Sequence, residues 1–264
     1  MRLLRRSNPG EFSFSRNFVG NDTIPPYAIL SHTWGADTSE VTFEDLRNGT
    51  GKDKPGYEKI RFCGDQAGQD DLEYFWVDTC CINKADFTEL SEAINSMFRL
   101  YRGAVKCYAY LSDVSSSKRK KGDQNSQKTW ESAFRGSRWF TRGWTLQELL
   151  APVSVEFFSK DGKRLGDRKS LEKQINETTR VPISALQGRP LSEFSIDERM
   201  SWMAKRETKR EEDKAYSLLG ILDIYMPLIY GEGEENAFLR LHRKISKASI
   251  GEHPPRLLAS AVQR

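Results

Sequence analysis

The chemistry-bearing stretch of this chain is Ser137-Arg138-Trp139-Phe140-Thr141-Arg142-Gly143-Trp144-Thr145-Leu146-Gln147-Glu148-Leu149-Leu150-Ala151-Pro152, one carboxylate set among bulky aromatics. At 100° per residue Leu146, Leu149 and Leu150 gather on one side of a helix, while Trp144 and Glu148, four apart, share the other. The leucines face a core, so Glu148 points either into solvent or into a cleft whose opposite wall other segments supply. Pro152 ends the helix, leaving Glu148 near a C-terminus whose dipole disfavours negative charge. A carboxylate placed against local preference is a functional hint. In a cleft it can hold hydroxyl groups and stabilise developing positive charge.

Other candidates collect at the ends of apolar runs. Tyr27-Ala28-Ile29-Leu30-Ser31-His32-Thr33-Trp34 enters from Pro25-Pro26, stops at Gly35, and is apolar early and polar at its exit, as expected of a strand delivering groups to a site. Asp78 lies within the run Tyr74-Phe75-Trp76-Val77-Asp78-Thr79-Cys80-Cys81-Ile82, read as a strand covered on both faces. A carboxylate there is costly unless paired or placed at a mouth; the bland alternative is an Asx turn capping a loop. Ser31 and His32 are adjacent on a strand and point to opposite faces, which argues against them as nucleophile and base.

The elements that position these groups alternate. Tyr57, Ile60, Cys63 and Ala67 fit a crossover helix between Gly56 and Gly68. Asp86-Phe87-Thr88-Glu89 has capping-box spacing before a stripe of Leu90, Ala93, Ile94, Met97, Phe98 and Tyr101 that ends at Gly103. Ala104–Leu111 and Val153–Phe158 read as further strands, and Ser115–Ser126 as a mobile polar loop. The expected architecture is therefore α/β, a mostly parallel, doubly wound sheet flanked by helices over residues 25–160. Residues 1–24 read as a loosely docked lead-in, residues 161–250 as a helical extension and residues 251–264 as a flexible tail. Ser195-Ile196-Asp197-Glu198 repeats the capping-box spacing, and the charged run Lys205–Lys214 reads as a solvated helix face. Tyr230-Gly231-Glu232-Gly233-Glu234 has no strand before it and is a turn, not a dinucleotide glycine loop.

Composition sets the outer limits. With 264 residues, 38% hydrophobic and 30% charged, the chain can bury a large core without staples. The net charge of +4 is scattered, so no specific nucleic-acid partner is indicated. Cys63, Cys80, Cys81 and Cys107 form no C-x-x-C pair, and His32, His242 and His253 are dispersed, so neither a disulfide framework nor a metal is expected. No stretch resembles a membrane span or a signal peptide, and a cytoplasmic location is the default.

Four blocks then resemble a family in order: Tyr27–Gly35, Trp76–Ile82, Ser137–Leu149 and Tyr225-Met226-Pro227-Leu228-Ile229-Tyr230-Gly231-Glu232-Gly233 look like signatures of the fungal heterokaryon incompatibility (HET) domain. The resemblance implies a module that triggers cell death when genetically different fungal cells fuse. It also implies an upstream receptor of the nucleotide-binding or repeat type, with this chain either a short stand-alone member or a piece of such a receptor. A more distant likeness is to TIR domains: Tyr27–Ser31 resembles their first strand, and Trp144-Thr145-Leu146-Gln147-Glu148-Leu149 their catalytic helix, with Thr145 where a Cys is common. That likeness implies a TIR-like, flavodoxin-like sheet, NAD+ or a related nucleotide as substrate with no bound cofactor, and Glu148 as the catalytic carboxylate.

The chemistry is compatible. Most glycosidases need two carboxylates. Nicotinamide in NAD+ is already a pyridinium and departs neutral, so one carboxylate that holds the ribose and stabilises an oxocarbenium-like transition state suffices. Around Glu148, Trp34 or Trp144 could stack on a ring, Ser31 or Arg142 could contact phosphate or ribose beside the Gly35 turn, and Asp78 could orient one of them. Core packing for both tryptophans, and an Arg142–Glu148 pair, are the structural alternatives. Two functional alternatives also stand: a non-catalytic, self-associating death-signalling module, and a hydrolase using Cys80 or Ser31 with His32 and Asp78.

Overall fold

Six consecutive buried residues, Tyr27–His32, form the strand on which the site is hung. In a computed structural model that describes residues 1–8, 11–20, 22–116 and 126–249, this strand lies in the middle of a seven-stranded sheet. The strands are β1 (Leu4–Asn8), β2 (Glu11–Phe14), β3 (Tyr27–His32), β4 (Tyr74–Trp76), β5 (Lys106–Leu111), β6 (Val155–Ser159) and β7 (Arg164–Asp167), in the order β2-β1-β4-β3-β5-β6-β7. The four central strands run parallel, and β1, β2 and β7 are antiparallel additions at the edges. Taken in chain order, the central four lie 2-1-3-4, the opening of the flavodoxin-like order, whose switch point falls between β3 and β5.

The α/β sheet flanked by helices agrees with expectation, and its pleat sorts the aromatic residues. Ser31, Ala109 and Phe157 are successive cross-strand partners and share one face, where Phe157 meets Phe134 and Trp139. On the other face Phe62 of the crossover helix Tyr57–Gln69 packs with Tyr108, Tyr110 and Phe158. Asp86 caps the Phe87–Gly103 helix by accepting from Thr88 N and Glu89 N. Glu89 does not return to complete the box. Its carboxylate accepts instead from Asn83 N, 2.9 Å, and from Arg2, 2.7 Å.

Four local expectations are corrected. The lead-in is not loose: Leu3 and Leu4 are fully buried, and β1 and β2 extend the sheet beyond β4. The strand expected over Tyr74–Ile82 stops at Trp76, because the Val77 carbonyl turns back to accept from Cys80 N and Cys81 N. A run of buried apolar residues reads alike whether it is strand or buried turn. The extension opens with a strand, β7, before its helices. Within it, Lys205–Lys214 is mostly irregular and carries buried Arg206 and Glu212 rather than a solvated helix face. The Tyr230–Glu234 turn is a glycine loop around that same glutamate, with Gly231 N and Gly233 N donating to Glu212 at 2.7 and 3.1 Å. Most of the expected mobile loop and the whole expected tail lie outside the described residues.

Candidate active site

The segment around Glu148 is built one residue at a time. Ser137 caps the 3-10 turn Arg138–Thr141 through Trp139 N and is itself fixed to Asp113, 2.7 Å. This aims Trp139 at the sheet, where its Nε1 donates to Ser31 Oγ at 2.8 Å. Gly143 follows because no side chain fits: an added Cβ would lie 2.5 Å from Thr208 and 2.6 Å from Met203. Through that gap the extension docks, with Gly143 N donating to Glu207 O and Glu207 N to Thr141 O. Thr145 accepts from Arg206 at 2.8 Å, and Gln147 donates to the Ser217 carbonyl at 2.6 Å. Leu146 and Leu149 are fully buried. The motif thus alternates between holding the core, the extension and the site.

Glu148 is 6% exposed, so the cleft, not the solvent face, is its setting. Its Oε2 accepts from the Ser31 hydroxyl. The Tyr101 hydroxyl, which donates to Leu30 O at 3.0 Å, also lies against it. Burial, and secondarily the nearby Asp78 charge, push the Glu148 carboxyl up to about 8, against the opposing pull of Ser31, Tyr101 and Arg206. Arg206 is 4% exposed and is drawn down to about 9 by the same burial, so it remains a cation at neutral pH. Arg206, not Arg142, is the arginine whose charge reaches Glu148.

The opposite wall comes from the strand ends. Trp34, past the end of β3, donates from Nε1 to Asp78 Oδ2 at 2.8 Å, and Lys84 Nζ sits 3.7 Å from the centre of its indole ring. Asp78 therefore occupies the turn beyond β4 at the carboxyl end of the sheet, the mouth position. Its carboxyl is raised by burial, which Lys84 and the indole N–H oppose. His32 Nδ1 lies 3.8 Å from Asp78 Oδ1, and burial with Lys59 and Lys84 nearby keeps its imidazole neutral. Glu40 ties this corner together, accepting from Lys59 at 2.5 Å and from Gly35 N at 2.6 Å.

The cleft between the walls has two ends. The inner end, about 60 Å³, is lined by His32, Trp34, Asp78, Trp144, Glu148 and Asp213 among others. The outer end, about 380 Å³, is lined by Gly35, Ala36, Asp37 and Arg138. Thr33, Trp34, Arg142 and Lys209 belong to both, and Lys209 is paired with Asp37 at the mouth. A larger cavity of about 500 Å³ beside Met1, Phe18 and Leu100 shares no residue with this cleft, and its Arg2–Glu89 pair satisfies charge within the protein. Convergent polar groups with displaced ionisation make the smaller cleft the candidate site.

Of the residues singled out in the sequence, Glu148, Trp34, Asp78, Arg142 and Trp144 line the inner end together, and Gly35 the outer end. Trp34, 39% exposed, is not a core residue. Ser31 is the exception: it is fully buried, and its hydroxyl is engaged by Glu148 and Trp139 rather than turned to the cleft. Arg206, Lys209 and Asp213 were hidden in the charge run, where nothing distinguishes a buried arginine from its solvated neighbours. Tyr101 read as one more member of a core stripe.

The remaining chemistry is poorly supported. Burial raises the thiols of Cys63, Cys80 and Cys107, away from the reactive thiolate. Ser31 and His32 face opposite sides of the sheet, as their adjacency requires. Among the described residues no three His, Cys, Asp or Glu side chains could hold a metal ion, and no helix is long and apolar enough to cross a membrane.

A mostly parallel α/β sheet of flavodoxin-like order, with the buried carboxylate of Glu148 in a cleft at its switch point, defines the class of protein. Residues 27–148 match the family model described as heterokaryon incompatibility protein (HET). The chain is similar to the vegetative incompatibility protein HET-E-1 of Podospora anserina, 58% identical over 247 residues that make up 94% of this chain and 18% of that protein. It belongs to the HET family. It spans less than a fifth of the relative's length, and no solved structure matches it. The family match stops at Glu148, so Lys209 and Asp213 enter the cleft, and Arg206 reaches the Glu148 helix, from outside it.

Proposed function

We propose that this chain acts in heterokaryon incompatibility as a cytoplasmic cell-death effector that hydrolyses NAD+, or a related nucleotide, between nicotinamide and ribose. The supporting observation is the enclosed carboxylate of Glu148 at the floor of a cleft at the sheet's switch point, which it lines together with Trp34, Asp78 and Asp213. The short motif shared with TIR domains adds a family argument for the same residue.

In this reading the ionised Glu148 holds the ribose hydroxyls and stabilises positive charge as the C1′–N bond breaks. The electron pair leaves with nicotinamide, which departs neutral. A water oxygen bonds to C1′ and its proton passes to solvent, giving ADP-ribose. A pyridinium entering the cleft favours the carboxylate form of Glu148, countering the burial that raises it. Ser31 orients the carboxylate, and Arg142 and Lys209 at the cleft mouth suit the diphosphate.

A second reading, a non-catalytic module that self-associates and signals for an upstream receptor, draws on a different observation. At about 60 Å³ the inner end is well below the size of ordinary ligand sites, so a base enters only if the cleft opens. The two readings separate by chromatography of nicotinamide released from NAD+ by concentrated or artificially clustered protein. The enzyme reading expects turnover that Glu148→Gln lowers by at least ~10²-fold with the fold intact. Absence of turnover in clustered wild-type protein, or equal turnover in the variant, leaves the interaction module.

A further inference from the structure

Asp78, which lines the cleft, carries an acceptor without a partner. Asp78 Oδ2 is taken by the Trp34 indole N–H, whereas Asp78 Oδ1 is enclosed and makes no hydrogen bond. The nearest nitrogen, His32 Nδ1, stands 3.8 Å away, beyond hydrogen-bonding distance. An enclosed carboxylate oxygen without a donor is costly, and on a residue that lines the cleft it is available to a ligand donor once the cleft opens to admit a base. Asp78 and Glu148 line the same narrow inner end, so a molecule held by Glu148 has its adjacent part beside Asp78.

The geometry also limits what that part is. Asp78 is bonded to the edge of Trp34, and Trp34 lines the cleft while Lys84 lies over its ring without lining it. A flat base lying along the indole places a ring substituent at Asp78. Oδ1 can only accept while the carboxyl is ionised, so the substituent must carry an N–H or O–H. A carboxylate substituent would set two like charges against each other in an enclosed site, which disfavours its binding there.

We propose that Asp78 Oδ1 accepts an N–H from the carboxamide of the departing base, making Asp78 the residue that selects a carboxamide-bearing pyridinium over its carboxylate analogue. This rests on the nucleotide-cleaving reading of Glu148 and specifies which base that site takes. Asp78 touches the leaving group, and Glu148 the ribose. Trp34, fixed by the other oxygen of the same carboxylate, is the positioning element that holds base and acceptor in register.

The test compares two dinucleotides that differ only in this substituent, NAD+ and nicotinic acid adenine dinucleotide, on the full chain. Wild type is expected to prefer NAD+ by at least ~100-fold in kcat/KM, and Asp78→Asn, which can donate to a carboxylate, to narrow that preference at least ~10-fold. Because the ratio is taken within each variant, a misfolded fraction cancels. Equal use of both dinucleotides by wild type overturns the proposal. So does an Asp78→Asn variant that slows both alike, which would move Asp78 to the shared ribose. If wild type cleaves neither, the parent reading has failed, and binding of free nicotinamide against nicotinic acid, followed by ligand-observed NMR, becomes the measure. Selective binding of nicotinamide that Asp78→Asn abolishes supports the acceptor role, and unselective or absent binding ends it.

Discussion

The Arg206 guanidinium donates to Thr145 Oγ1 at 2.8 Å, so a residue of the extension grips the first turn of the short helix that carries Glu148. The same guanidinium nitrogen donates to Arg142 O at 2.7 Å, just before that helix begins. The catalytic candidate is thereby held from a segment 61 residues away in sequence.

Arg206→Met tests this grip. Relief of a buried charge works in its favour, and Arg206 Nη2 already lacks a partner. Against that, Thr145 Oγ1 and Arg142 O each lose a donor, and Glu148 loses the cation that favours its charged form. The loss prevails: stability falls by about 1–3 kcal/mol in chemical denaturation. The pH dependence of nicotinamide release moves upward as well, because Glu148 keeps its proton to higher pH without that cation. A purely structural role would lower stability and leave the profile in place.

Ser31→Ala removes one hydroxyl with two partners. Trp139 Nε1 is left buried without an acceptor, at a cost of about 1–3 kcal/mol. Glu148 loses the donor that orients it. Thermal denaturation is expected to show the first effect and a roughly tenfold fall in nicotinamide release the second. A stable variant with unchanged release would detach Ser31 from the site.

Glu148 sets opposite pH trends on stability and activity. Its carboxyl is raised from 4.5 to about 8 on folding. Between those values the folded protein keeps a proton that the unfolded chain has released, so stability falls as pH rises through the window. In the enzyme reading kcat/KM, which reports the free protein, needs the carboxylate and rises with pH, levelling above about 8. Glu148→Gln does not titrate. Its stability relative to wild type therefore grows from pH 5 to pH 8, by about 1–3 kcal/mol at the upper end, while its activity is lost. Denaturation midpoints at the two pH values check the sign.

Gly143→Ala tests the seam between sheet and extension. The added methyl meets Thr208 and Met203 at 2.5 and 2.6 Å, and Met203 can yield more readily than the backbone-tied Thr208 segment. Stability is expected to fall by about 1–3 kcal/mol. Hydrogen exchange at Gly143 N and Glu207 N, which carry the bridge between the two parts, is expected to accelerate ahead of exchange in β3 and β5.

Much of the site was legible before any coordinates. The polar exit of the Tyr27–His32 strand, the 3.6-residue stripe of the Phe87–Gly103 helix and the Trp144–Glu148 spacing are local patterns, and local patterns survive in a linear sequence. They sufficed to place Trp34, Asp78, Trp144 and Glu148 as candidates, and the cleft brings all four together. Less local signals misled. The apolar run after Trp76 passed for strand, and the first residues, short and without period, concealed two edge strands that need β4 as their template.

Residue types and spacing by themselves determined the α/β class and the parallel core, and they singled out Glu148 as a candidate. The tertiary structure alone decided that Glu148 is enclosed, that Ser31 holds it rather than a ligand, and that Arg206 reaches it. The reason is that burial and electrostatic field are sums over neighbours from many segments. An arginine in a run of charges acquires its role only when the chain folds it against Thr145, out of water and within reach of a carboxylate.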